Sequence, residues 1–269
     1  MRELDAATKR LIVSARRRGL PLLRRVRPDR YTDADPFKLV MVPTEWLSLM
    51  QGRWRGALAL PWLDSGPFAR WSSYRRRWHA GRVLSGDWDQ ATQPLDDYHL
   101  ASVVHDRFVG GRDWVKIPYI KKALRKVARG ERAWGNRCAT TEAVMARCRY
   151  LDELHAALHR EGYSTERRGD KVAFSHFLVN IGRNGELIRN NDGKHRIILA
   201  RQIGLPRLPA RVFIRHRNWQ RIRDAIGTGE APELARRFAD HPDLEDLFSG
   251  TGEDRHAEGG PSGLAMRKR

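Results

Sequence analysis

One segment, residues 177–216, constrains the fold more than any other part of the chain. The apolar run Phe177–Ile181 predicts a strand, and Asn184-Gly185 is typical of the tight turn in a β-hairpin. Glu186–Arg189 returns as the partner strand. After a glycine-containing loop, an apolar helix that ends at Gly204 leads to a further strand at Ala210–Ile214. Strands and a helix in this order predict a sheet covered by helices, and therefore an α/β fold.

The loop in this segment, Asn191-Asp192-Gly193-Lys194-His195-Arg196, leads into the helix and carries several hydrogen-bond donors. The first backbone N–H groups of a helix have no partner within it, and the helix dipole favours negative charge there. Gly193 lets an anion approach the backbone closely. His195 and Arg196 place donors on the first turn, and Lys194 adds a mobile positive charge. The pattern predicts a phosphate site, and a solvated basic helix start is the alternative.

A hairpin followed by Asp-Gly-x-His-Arg, an apolar helix, Gly-Leu-Pro and a short strand resembles the core of the ParB/sulfiredoxin-like superfamily. That superfamily includes plasmid-partition CTPases, sulfiredoxins, free-serine kinases and nuclease-like proteins. The resemblance covers Phe177–His216 and implies an α/β (α+β) fold with a small mixed sheet surrounded by helices. It implies phosphate-binding roles for Gly193, His195 and Arg196. Asp192 stands where the kinase-like members carry an aspartate in the same loop.

Two departures from the superfamily narrow what the resemblance implies. Sulfiredoxins carry a catalytic cysteine between the glycine and the histidine, where this chain has Lys194, so repair of sulfinic acids is excluded. The partition proteins continue into a helix-turn-helix DNA-binding domain, and no such domain is recognisable after His216.

Paired carboxylates occur earlier, in Gly86-Asp87-Trp88-Asp89. In a strand, Asp87 and Asp89 would point to the same face and could hold Mg²⁺ or activate a hydroxyl group. Folded beside the phosphate loop, they would complete a phosphoryl-transfer site. The alternative is an Asx-type turn with Trp88 anchored in the core.

Two further groups of residues are candidates for the same site. Arg215 and His216 follow the last strand of the segment, and strand ends gather ligands in α/β folds, so either is a candidate to reach a phosphate. His99, His105 and Asp106 lie in a helix predicted over residues 95–109, and one of them is a candidate to approach the loop. Surface or core positions are the alternative for these three residues.

The charge of the chain points to polyanions. Lys and Arg number 51 against 32 Asp and Glu, a net charge of +19. Such a field concentrates nucleic acid, nucleotides or acidic membrane surfaces. Arg16-Arg17-Arg18 and Arg24-Arg25 make the N-terminus the clearest basic cluster, which predicts contacts with DNA or RNA backbones. The alternative is that an arginine-rich composition reflects the base composition of the genome.

The pattern along the chain divides it into three parts. Residues 1–35 form a basic helical segment, with helical spacing over 6–19 that Pro21 interrupts. Residues 36–248 are expected to form a single α/β domain that resembles the ParB/sulfiredoxin-like core, with a Trp-rich cover and a helical insertion. Residues 249–269 are expected to form a disordered tail.

Three helices are predicted at specific residues outside the phosphate loop. Thr140 or Thr141 caps a helix that ends at Gly162, and later helices cover 218–226 and 232–248. No apolar run approaches the roughly 18 residues of a membrane span. The two cysteines, Cys138 and Cys148, suit neither a disulfide framework nor a zinc site, so a cytoplasmic location is expected.

Together these features predict a cytoplasmic protein that binds a nucleoside triphosphate, ATP or CTP, with Mg²⁺. It would hydrolyse the nucleotide or transfer a phosphoryl group to a small molecule. Gly193–Arg196 would hold the phosphates, while Asp192, Asp87 or Asp89 would serve as base or metal ligands. A nucleic-acid-binding protein or nuclease is one alternative, and a non-catalytic adaptor is another.

Overall fold

A computed structural model describes most of the chain, namely residues 6–51, 53–54, 57–58, 79–163, 177–190 and 193–249. Three sequence predictions fall outside these residues. They are the catalytic role of Asp192, the disordered tail beyond Ser249, and most of the Trp-rich cover, which falls in the range 52–78.

The described residues alternate between helices and short strands. The helices are α1 (Ala6–Val26), α2 (His99–Phe108), α3 (Pro118–Ala128), α4 (Thr141–Glu161), α5 (Lys194–Ile203), α6 (Arg217–Gly227), α7 (Pro232–Arg237) and α8 (Glu245–Ser249). The strands are β1 (Leu39–Pro43), β2 (Leu49–Gln51), β3 (Arg53–Trp54), β4 (Ala57–Leu58), β5 (Arg82–Leu84), β6 (Thr92–Pro94), β7 (Phe177–Ile181), β8 (Leu187–Arg189) and β9 (Arg207–His216). No helix among these residues is long and apolar enough to cross a membrane.

A mixed sheet organises these elements around β9. The strands run in the order β1-β9-β7-β8-β2-β6, and β5 also pairs with β9. All residues of β9 after the first are buried, as expected for a strand covered on both faces. The helices and the mixed parallel and antiparallel sheet confirm the predicted α/β fold.

The register of the parallel strands defines two opposite edges of this sheet. β5 and β7 both run parallel to β9, with Leu84 opposite His216 and Ile181 opposite Arg215. The carboxyl ends of these strands therefore meet at one edge. Phe177, the first residue of β7, lies towards the other edge.

The predicted limits of two helices are confirmed. The Thr140 side chain accepts a hydrogen bond from the backbone N–H of Ala143 at the start of α4, and Gly162 follows its last residue. Gly204 ends α5 in the left-handed conformation, with φ 80°.

α1 does not end where the sequence predicts. It continues through Pro21 to Val26, although a proline inside a helix removes a backbone donor and a hydrogen bond. Tertiary contacts offset that loss, because Leu20 is buried and Arg16 donates two hydrogen bonds to the carbonyl of Ala80.

The helix predicted over 232–248 is likewise interrupted. It forms two short pieces, α7 and α8, with residues 238–244 between them. Pro242 lies in this interval and cannot donate a helical hydrogen bond. His241 further holds a turn, since its Nδ1 accepts the backbone N–H of Asp243.

Contacts divide the chain into two compact units, Met1–Trp219 and Gln220–Arg269. The mixed sheet and helices α1–α5 belong to the first unit. All candidate site residues belong to it as well. The predicted single domain over 36–248 stays a prediction.

Candidate phosphate site

Packing against β7 fixes the first turn of α5. Gly193 precedes the helix with φ 83°, in the left-handed region. A Cβ atom at this position would lie 2.3 Å from Cβ of the buried Phe177. The need for glycine here therefore comes from the close approach of the loop to β7. Close approach of an anion, the reason inferred from the sequence, is not required to explain it.

His195 lies on the first turn of α5 and contacts an arginine from α4. Arg147 Nη2 is 3.3 Å from His195 Nε2. A guanidinium can only donate, so Nε2 accepts and the imidazole hydrogen lies on Nδ1. Burial, followed by the positive charges around the ring, lowers the pKa of His195 to about 3. The charged neighbours are Arg147, Lys194, Arg137 and His99. The imidazole is therefore neutral at physiological pH.

Tyrosines hold the two basic residues on either side of His195. Lys194 Nζ donates to the hydroxyl of Tyr98 and lies 4.3 Å from its ring centroid. Arg196 Nη1 donates to the hydroxyl of Tyr163 over 2.6 Å. Tyrosine hydroxyls and rings attract these cations without neutralising them. The positive charge of the first turn is therefore retained.

We call Lys194, His195, Arg196 and Arg147 the basic cluster. Within the described part of the chain, no Asp or Glu forms an ion pair with Lys194 or Arg147. Arg147 Nε is also buried without an acceptor among these residues. Buried donors are nearly always hydrogen-bonded in proteins. The basic cluster thus has both charge and donor capacity to offer an anion.

One of the predicted helix residues does approach this cluster. The His99 ring lies 4.1 Å from that of Tyr98, and burial together with the charge of Lys194 lowers the pKa of His99. Asp106 forms an ion pair with Arg112 instead. Of the three candidates in α2, His99 is the one whose charge state is coupled to the first turn of α5.

The paired carboxylates bind an arginine of the β7–β8 turn. Asp89 is buried and accepts hydrogen bonds from the backbone N–H, Nε and Nη2 of Arg183, at 2.8, 2.9 and 2.8 Å. Asp87 is more exposed and accepts from Arg183 Nη2 at 2.8 Å. Burial acts to raise the pKa of Asp89, but the hydrogen bonds from Arg183 outweigh it, so the pKa is lowered. The same bonds raise the pKa of Arg183.

The predicted phosphoryl-transfer site does not form among the described residues. Arg183 follows the carboxyl end of β7, whereas Gly193 contacts Phe177 at its amino end. Six residues of extended chain, at about 3.3 Å each, place these points roughly 20 Å apart. Asp87 and Asp89 therefore do not face the phosphate loop. No three His, Cys, Asp or Glu side chains gather as metal ligands in the described residues.

A turn forms here and not a strand, although backbone groups close it and not the side-chain oxygen of the Asx-type turn described as the alternative. The Gln90 N–H donates to the carbonyl of Asp87, which closes a turn, and Trp88 is buried in the core beside Phe213 and Ile214. Asp89 and Arg183 then join this turn to the β7–β8 hairpin. The function of the pair in this arrangement is structural.

Arg215 and His216 also lie at the edge opposite the basic cluster. His216 Nε2 donates to the carbonyl of Gly86 at 3.0 Å, and its Nδ1 accepts the N–H of Asn218 at 3.1 Å. Both ring nitrogens are therefore used within the chain. Arg215 is buried in the sheet opposite Ile181. The prediction that these residues reach the phosphate of the α5 loop is wrong, because parallel β9 carries them to the other edge.

Sequence reasoning missed the residues that reach the first turn of α5 from other elements. They are Arg147, Arg137, Tyr98 and Tyr163. Arg147 is 48 residues from His195 in the chain and stands on a helix with several other basic residues. No local spacing marks it, because its role arises from the packing of α4 on α5.

Comparisons with known protein families, with curated proteins and with solved structures found no match to this chain. The functional inference therefore rests on the chemistry of the basic cluster.

We predict that Gly193→Ala destabilises the protein by about 3 kcal/mol, through left-handed strain and overlap with Phe177. Gly204→Ala is the matched control, since Gly204 has a similar φ of 80° but a Cβ added there would meet no atom within 4 Å. It should cost only the strain, about 1 kcal/mol. Urea denaturation of both variants measures the difference. Equal losses would contradict the packing described for Gly193.

We predict that Asp89→Asn lowers the free energy of unfolding by about 1–3 kcal/mol at neutral pH, because it removes the charge and one of the two buried carboxylate oxygens that accept hydrogen bonds from Arg183. The folded pKa of Asp89 is lowered, so its contribution is present above the unfolded pKa and is lost as pH falls through the folded value. The difference from wild type should shrink below about pH 4.

The matched control for this pH dependence is Asp87→Asn, whose side chain is 58% exposed. It should change the free energy of unfolding by less than about 1 kcal/mol. Urea denaturation at several pH values measures both variants. A loss in Asp89→Asn that does not vary with pH would show that the charge of Asp89 contributes nothing.

Proposed function

We propose that this protein binds the phosphate groups of nucleotides at the basic cluster. One observation carries the proposal: several cationic side chains converge on the first turn of α5, and Lys194 and Arg147 have no carboxylate partner among the described residues. Like charges brought together repel one another, and a bound anion removes that cost. A phosphate would also supply the missing acceptor for Arg147 Nε.

The donors of the cluster suit a multivalent oxyanion. The backbone N–H groups at the start of α5 point out of the helix end, where the dipole favours negative charge. His195 is neutral but still carries a hydrogen on Nδ1, so it can donate without adding charge. Lys194 and Arg147 contribute the charge itself. A phosphate has oxygens enough to accept from all of these groups.

A nucleoside triphosphate, ATP or CTP, is the ligand that the resemblance to the ParB/sulfiredoxin-like superfamily implies, and membership of that superfamily is part of this proposal. The described residues of the basic cluster include no carboxylate, so they do not fit a Mg²⁺ ion. Asp192 is the acidic residue of the loop, outside the described residues. We therefore propose binding and derive no hydrolysis or transfer step.

The N-terminal arginines support this proposal less than their sequence indicates. Arg16 is buried and bound to the carbonyl of Ala80, and Arg17 forms an ion pair with Asp35 over 2.9 Å. These two side chains stabilise the fold. Arg16 and Arg17 therefore do not provide charge for binding a polyanion, whereas Arg18 and Arg25 stay exposed on α1.

Isothermal titration with ATP, CTP and GTP, with and without Mg²⁺, tests the proposal. We expect binding of at least one nucleotide, and Lys194→Gln and Arg147→Gln should each weaken it by about tenfold or more, since each removes a charged hydrogen bond. Lys116→Gln is the charge-matched control, because Lys116 is exposed and pairs with Asp113 instead. It should leave affinity nearly unchanged.

Two results would contradict the proposal. The first is no binding of any of the three nucleotides under either condition. The second is binding that the Lys194→Gln and Arg147→Gln variants leave as tight as in the Lys116→Gln control.

A further inference from the structure

A second basic surface is formed by α3 and the turn that follows it. Residues 118–138 include a single acidic residue, Glu131. Their basic residues are Lys121, Lys122, Arg125, Lys126, Arg129, Arg132 and Arg137. Glu131 pairs with Arg129 and lies 3.8 Å from Lys126. The segment itself therefore carries an excess of positive charge, which is separate from the basic cluster except at Arg137, near His195.

A cleft of about 320 Å³ opens between α3 and this turn. Lys122, Lys126 and Arg132 line it together with the aromatic rings of Tyr119 and Trp134. Small-molecule sites in proteins occupy roughly 300–1,000 Å³, so the cleft is at the small end of that range. Its size and lining suit a flat ring that is joined to a negatively charged group.

The turn beside the cleft is held in an uncommon backbone conformation. Trp134, Gly135 and Asn136 have φ values of 54°, 63° and 64°, in the left-handed region. This conformation costs an L-residue about 1–2 kcal/mol. Hydrogen bonds between Ala133 and Cys138 close the turn. Strain of this kind is found at functional sites, where it holds a side chain in a required position.

Aromatic rings connect the cleft with the basic cluster. Tyr119 stacks on His99, with centroids 4.4 Å apart and planes inclined by 14°. The ring centroids of His99 and Tyr98 are 4.1 Å apart, and the Tyr98 ring makes a cation–π contact with Lys194. At the other end, Trp134 lies 5.6 Å from Tyr119. We call Tyr98, His99, Tyr119 and Trp134 the aromatic row.

We propose that the ligand of this surface is a single-stranded nucleic acid, with a backbone phosphate at the basic cluster and an unpaired base in the cleft. The inference rests on the proposed phosphate binding and names its ligand class. Basic side chains interleaved with aromatic rings are the features by which proteins bind single strands, since phosphates and base faces are satisfied together.

Other polyanions match the surface less well. A duplex keeps the faces of its bases within its own stack, so it can offer phosphates but no ring to the cleft. An acidic peptide can neutralise the lysines and arginines but leaves the aromatic row without a stacking partner. A free mononucleotide occupies one of the two sites and not the surface between them.

Fluorescence anisotropy with a short labelled strand, as oligo(dT) and as oligo(rU), tests the inference on the full chain. Both strands should bind at least tenfold more tightly than the corresponding mononucleotide, and the two arms show whether DNA or RNA is preferred. The double variant Lys122→Gln and Arg132→Gln should lower the salt slope of log K by about 0.7 for each phosphate that the variant no longer binds. The double variant Lys116→Gln and Arg160→Gln is the charge-matched control, because both side chains are exposed and pair with Asp113 and Glu161.

A second variant tests the aromatic row. Tyr119→Leu removes the ring at the centre of the row and should weaken strand binding by about tenfold, whereas Tyr119→Phe keeps stacking and should bind nearly as wild type. Circular dichroism checks the fold of each variant. If Tyr119→Leu does not fold, the exposed Lys122 and Arg132 changes still decide the question.

The outcomes separate the inference from the proposed function. Suppose that nucleotide binding depends on Lys194 but that the cleft variants bind the single strand as tightly as wild type. This result would overturn the inference and leave the proposed function standing. Binding of a duplex or polyglutamate as tightly as the single strand would also overturn it. Absence of binding to both nucleotides and strands would overturn the two together.

Discussion

The extended backbone of β7 sets the distances on which the rest of the structure depends. Its first residue, Phe177, packs against Gly193 and positions the first turn of α5. Just beyond its last residue, Arg183 binds Asp89. A strand paired on both sides cannot shorten, and its pairing with β8 and β9 fixes its register. The basic cluster and the paired carboxylates are therefore held at opposite ends of one strand.

The two ends of β7 differ in the charge of the side chains that gather there. At the hairpin end, both carboxylates accept hydrogen bonds from Arg183 and so share a cationic partner. At the α5 end, Lys194 and Arg147 surround a histidine whose pKa is lowered to about 3. Under the proposed function, a negative ligand beside this half-buried neutral imidazole would relieve the repulsion among the cations around it. The aromatic row extends the same surface towards a second set of basic side chains.

Sequence patterns predicted the local parts of this account. The strand at Phe177–Ile181, the cap at Thr140 and the end of α5 at Gly204 each follow from residues within a few positions of one another. They did not predict where Asp89 lies or that Arg147 contacts His195. The position of Asp89 depends on the order of the strands in the sheet, and the contact of Arg147 depends on how α4 packs on α5. The hydrophobic periodicity and the residue spacing of the sequence encode neither of these. Alternation of Asp87 and Asp89 suited a strand, but the segment folds as a turn that a hydrogen bond from the Gln90 N–H to the Asp87 carbonyl closes.

The central claim is that a phosphate-bearing ligand completes the basic cluster, and the protonation of His195 reports it most directly. Nuclear magnetic resonance of the imidazole, assigned with a His195→Gln variant, follows its titration with and without a bound nucleotide. Without ligand, the low pKa of about 3 predicts a ring that stays neutral down to about pH 5. A bound phosphate places negative charge beside the ring and should raise the pKa of His195 by about two units or more. An unchanged titration with saturating nucleotide would contradict the account.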